Sequence, residues 1–248
     1  MSNLGYHIEK VFDGLRIQEG IDETTLARKE YLYLPLLTRS FRIKELTLHK
    51  IMAKDANFFV DVICDLYKPK SVPKDNKEPS QEQKLRGEFA WHLLRTWKHP
   101  PGIDDNGQII EGALKNWITE ARGIALLKDR SEVVDLHIGH VLFHYPEDPT
   151  DLIWPHRELR KLIEDMLNDQ IEEGIELEQF NSRGVVSKEL YEGGKQERII
   201  AMKWQSWAEK MDIKWVRTRA MLERIASGWS AHAKAEDERA EKNRLRSR

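Results

Sequence analysis

Apolar side chains in this chain recur every three to four residues. The clearest case is 111–127, where Leu114, Trp117, Ile118, Ala121, Ile124 and Ala125 make one stripe. That spacing predicts an amphipathic helix with one face turned to a core. The same pattern predicts helices over 56–67 (Phe59, Val62, Ile63 and Leu66, behind an Asp55 cap) and over 83–98 (Leu85, Phe89, Leu93 and Trp97). A further helix starts at Asp129 or Ser131 and runs to about His144. The segment 156–180 carries Leu159, Leu162, Ile163, Met166 and Ile171, with an interruption expected at Gly174. Two last helices, 196–211 and 214–233, hold Ile200, Trp204, Trp207 and Met211, then Trp215, Leu222 and Trp229 at heptad spacing with Ile225 beside them. Weaker patterns cover 4–16, a helix capped by Thr24 or Thr25 that ends near Pro35–Thr38, and 46–54. No segment alternates with period two. The expected class is therefore all-α: an irregular stack of antiparallel helix pairs, α-solenoid-like or a multi-helical array, with little or no sheet. No fixed-period repeat marks a regular solenoid.

The breaks between stripes are rich in turn formers. Residues 68–83, KPKSVPKDNKEPSQEQ, hold three prolines and four lysines; 99–109 contains Pro-Gly and Asn-Gly, and 145–155 is again proline-rich. We expect one α-helical domain, 1–248. The sub-boundary on offer is 68–83, which would part N-terminal helices (1–67) from a main array (84–235) and a charged tail (236–248).

Composition narrows the class. With 40% hydrophobic and 33% charged residues and a mean hydropathy of −0.63, the chain can fill a core beneath a very polar surface. A net charge of −2 argues against a dominant nucleic-acid footprint, which shows a basic excess. The single cysteine, Cys64, allows no intrachain disulfide and fits a reducing, cytoplasmic setting. The first residues show no basic-then-apolar leader. The most apolar run, 31–37, is too short to span a bilayer.

Two stretches carry candidate chemistry. In 180–198, FNSRGVVSKELYEGGKQER, turn-forming Asn181, Ser182 and Gly184 surround Arg183, and Gly193 and Gly194 follow. The planar Arg183 fork suits a carboxylate or phosphate, so these six residues are the candidate ligand- or partner-binding loop. The competing reading is a helix connection in which Arg183 ties the loop to a neighbouring carboxylate. It is not a phosphate-binding P-loop, because no Lys-Ser or Lys-Thr pair follows the glycines. In the second stretch, His137, His140 and His144 stand at i, i+3 and i+7 and would share one helix face. Such a face could bind zinc or a similar metal, with His156 nearby in sequence. Residues seven apart lie about two turns apart, however, and no Glu flanks them in a metalloprotease or di-iron pattern. We therefore expect histidines edging a core, and no cofactor. No Gly-x-Ser-x-Gly elbow is present. The acidic runs Glu172–Glu173 and Glu236–Glu238 read as solvated surface.

Five phrases, KDANFFVDVICDLYKPK (54–70), IGHVLFHYPEDP (138–149), IWP (153–155), FNSRGVV (180–186) and EGGKQER (192–198), resemble a C-terminal helical module of large, mostly uncharacterised bacterial proteins. Some of those proteins carry an antidote-type helix-turn-helix at the N-terminus. The resemblance runs from about Tyr31 onward and implies a helical scaffold or sensor region without an assigned activity. The long N-terminal part of those proteins has no counterpart here, so catalysis or DNA binding seated there is not implied.

The expected function is a non-catalytic interaction, scaffold or sensor module of a bacterial cytoplasmic system. The alternatives are a metal-dependent or hydrolytic enzyme using the histidine face, or a DNA-associated regulator of antidote type. Tyr31, Leu32, Tyr33, Leu34, Leu36 and Leu37 are more apolar than one helix stripe needs. That crowding predicts a protein partner, or self-association, through an N-terminal apolar edge.

Overall fold

The computed structural model describes residues 3–18, 20–37, 46–73, 78–189 and 191–246. Eleven helices and no strand occur among them; one isolated bridge, Ile103 to Ile109, closes a loop. The protein is all-α and multi-helical, as the period of the apolar stripes requires. No described helix is long and apolar enough to cross a membrane. The chain divides into two compact units, Met1–His144 and Tyr145–Arg248. The described parts of the proline-rich stretch, 68–73 and 78–83, lie within the first unit, between two helices that pack on each other, and 74–77 fall outside the described residues.

The first unit contains α1 (Asn3–Ile17), α2 (Glu23–Leu37), α3 (Thr47–Lys54), α4 (Ala56–Leu66), α5 (Gln81–Thr96), α6 (Ala113–Leu127) and α7 (Ser131–Leu142). Asp55 caps α4 by accepting from the Phe58 amide. The helix then buries Phe59, Val60 and Ile63 against α5 and α6. Phe59 stacks with Trp97 and Trp117 at ring separations of 5.2 and 5.1 Å, and the Trp117 indole donates to the Met52 carbonyl at 3.1 Å. The α2 helix starts one step before the expected caps: the Asp22 carboxylate accepts from the Thr25 amide, and Pro35 sits inside the last turn. Buried Glu30 ties three helices, accepting from Arg16, the Thr47 hydroxyl and the Leu48 amide.

The second unit contains α8 (Arg157–Met166), α9 (Asp169–Asn181), α10 (Lys195–Lys210) and α11 (Val216–Arg246). The short 211–215 turn folds α10 back along α11, and α8 and α9 pack on α11. The break expected at Gly174 falls instead at Leu167, which adopts left-handed φ 45, after which the Asn168 side chain caps α9. Gly174 stays buried inside α9. Glu172 corrects another expectation: it is buried, not surface, and receives Arg217 and Arg224 from α11.

Candidate functional site

The stretch 180–198 joins α9 to α10 and is built around one buried carboxylate. Glu197, in the first turn of α10, accepts from Arg183 and from Lys188, the latter at 2.8 Å. Burial pushes the Glu197 carboxyl up. The two cationic hydrogen bonds, with its own backbone amide, outweigh that and hold it down at about 2. Lys188 also reaches Glu236 of α11 at 3.0 Å. Arg183 donates to Gln196 at 3.2 Å and lies over the Trp229 ring, 5.0 Å from its centroid. Trp229 in turn donates to Gln179 and packs on Phe180, ring to ring at 4.6 Å. Every group Arg183 touches here belongs to the same unit.

The neighbouring candidates have equally local tasks. Asn181 ends α9, and the Ser182 amide and hydroxyl bond back to Glu178 and Gln179. Gly184 takes φ +66 in open space. Gly193 takes φ +64 beside the Asp237 side chain. Gly194 has an ordinary φ of −89, but a Cβ there would collide with the Ala233 carbonyl of α11. Its amide donates to Asp237 at 2.9 Å, and Arg198 pairs with the same carboxylate at 2.6 Å. Gly194 therefore lets two helix backbones meet, and Asp237 covers the positive end of α10.

Sequence reasoning placed Arg183 at this junction and missed Lys188, Glu197, Trp229 and Asp237. Glu197 and Asp237 read as ordinary helical surface charges. Only the fold brings Asp237 beside Gly194, forty-odd positions away in the chain.

The histidine face is smaller than its spacing suggests. Helix α7 stops at Leu142, so His144 lies beyond the helix that holds His137 and His140. The latter two rings are 5.0 Å apart, and His137 bonds the Tyr67 hydroxyl at 3.0 Å. Among the described residues, no group of three or more His, Cys, Asp or Glu could hold a metal ion. Burial, aided by the charge of His140, lowers His137 to about 3 from its ordinary 6.5. The folded imidazole stays neutral while the unfolded one takes up a proton, so its contribution to stability is complete above about 6.5 and is lost as pH falls toward 3. The denaturation midpoint should drop from about pH 7 to about pH 5, above the carboxylate range. His137→Gln should flatten that slope. An unchanged slope would mean that the folded imidazole titrates normally.

An open cleft of about 720 Å³ in the first unit is lined by Cys64, Tyr67, Arg86 and Arg130. Burial pushes the Cys64 thiol up, which keeps it protonated and a poor nucleophile. Arg86 pairs with Asp65 at 2.7 Å, and Arg130 donates to the Tyr67 and Lys128 carbonyls. Arg86 and Arg130 are thus tied to neighbouring groups of the same unit. Comparison with known proteins gives no match to a family model, a curated protein or a solved structure.

Proposed function

We propose that the chain is a non-catalytic helical interaction module of a bacterial cytoplasmic system, engaging a protein partner through α1 and α2. One observation carries this reading. These two packed helices turn large apolar side chains outward: Tyr6, Val11, Ile17, Leu32 and Tyr33 are exposed, Leu32 at 70% and Ile17 at 85%. Leu26, Leu34 and Leu37 already fill the inner face of α2, so the outer residues are surplus to the core. Large apolar groups exposed beyond what the core needs mark interaction surfaces more often than catalytic ones. The ionic clusters support the same reading, because Arg183, Glu197, Arg86 and Asp65 serve internal ties. The resemblance to helical modules of larger bacterial proteins agrees with it.

The test is a photoreactive amino acid placed at Leu32 or, as a control, at exposed Lys29 on the same helix, expressed in a bacterial host. The Leu32 probe should capture one discrete protein and the Lys29 probe only background. Equal background at both positions would end the proposal.

A further inference from the structure

A second surface lies on the α10–α11 pair. An open groove of about 620 Å³ runs between the two helices, floored by Ala201, Ala226 and Ser227. Ile199 and Met202 stand beside it, 57% and 63% exposed. The inward face of α10 is already filled by Ala201, Trp204 and Ala208. Lys195, Ile199, Met202, Ser206 and Glu209 form a separate stripe with steps of four, three, four and three. That is the spacing of a helix-to-helix seam, and here it faces away from the unit's own core.

The charges along the groove are ordered. Lys195 flanks the end near Ser230, beside the Arg198–Asp237 ion pair, while Gln205 and Glu223 flank the other, with Glu209 one turn further along α10. We propose that this groove binds a second copy of the chain, α10 lying antiparallel on α10 across a two-fold axis near Met202. The charge order selects this arrangement. A two-fold axis along the groove would set basic end on basic end. An axis across it reverses the direction and sets Lys195 of each copy opposite Glu209 of the other, because both stand seven positions from Met202. The small Ala and Ser floor of the groove lets the helices approach closely. Helix α10 has 16 residues, about 24 Å, and two helices abreast span about 20 Å. The face offers about 500 Å² per copy, the low end for a specific interface, so the dimer is weak and reversible.

Sedimentation equilibrium of the full chain tests this. The wild type should dimerise with a Kd in the range of about 10 to 100 µM. Met202→Glu, which places two carboxylates at the axis, should weaken the dimer more than about tenfold with unchanged circular dichroism. Glu209→Lys alone should weaken it, and Lys195→Glu added to Glu209→Lys should restore it. A wild type monomeric to about 1 mM overturns the proposal. So does association that survives Met202→Glu and is lost with Leu32→Glu, which would place self-contact on α1 and α2. The first result leaves the capture experiment at Leu32 untouched, and the second would identify the protein captured there as another copy of the chain.

Discussion

Arg183→Ala should lower the melting temperature of the second unit by about 8 to 16 °C, a loss of about 2 kcal/mol. Truncation removes one of the two cations that hold buried Glu197 ionised, together with the stack on Trp229. Breaking a buried pair outright costs about 3–5 kcal/mol; Lys188 remains as a partner here, so the loss is smaller. Arg183→Lys should recover only part of it. A point charge can replace the contact to Glu197 but not the planar fork that also reaches Gln196 and covers the indole. The loss should be largest near neutral pH. With Glu197 held at about 2, its ionic contribution is full above the ordinary carboxylate range and disappears as pH falls through about 4 toward 2. Urea denaturation of both variants between neutral and acid pH reads this directly. An Arg183→Ala protein as stable as the wild type would show that the cation is not a tie.

Gly194→Ala should be severely destabilising, costing about 3 kcal/mol or more. Its φ of −89 suits any residue, so conformation is not the reason. The added Cβ would meet the Ala233 carbonyl of α11, which is backbone and cannot rotate away. Helices α10 and α11 would have to part along their length. Two nearby glycines serve as controls. Gly184 has positive φ and nothing within 4 Å, so alanine there should cost about 1 kcal/mol, the conformational term alone. Gly193 also has positive φ but would meet only the movable Asp237 side chain, and its alanine variant should fall between the other two. Circular dichroism melts of the three variants should rank Gly194, Gly193, Gly184 in falling severity. A Gly194→Ala protein no worse than Gly184→Ala would contradict the close approach.

The helices were legible because each buries one stripe, and a stripe is a property of consecutive residues. The Asp55 cap was legible for the same local reason. The break at Leu167 was not, since a left-handed leucine is held by its surroundings and carries no turn-former signature. Glu172 shows a second limit: its burial depends on Arg217 and Arg224, which lie 45 and 52 positions further on. At 180–198 the local chemistry suggested an arginine in a turn. Its partner Glu197 was hidden in a charged helical start, and the cause of the glycine pair, α11 lying against it, appears only once the chain has folded. The end of α7 was a boundary that spacing does not show. Spacing alone kept His144 on the helix, but α7 ends two residues earlier.

The central claim is that the charged junction holds the fold while the apolar α1–α2 edge does the binding. The direct test is crosslinking yield from a photoreactive residue at exposed Val11, measured in the Arg183→Ala and Leu32→Glu backgrounds below both melting midpoints. Arg183→Ala should melt earlier yet keep the crosslink, and Leu32→Glu should melt like the wild type and lose it. Loss of the crosslink with Arg183→Ala and its retention with Leu32→Glu would contradict the account.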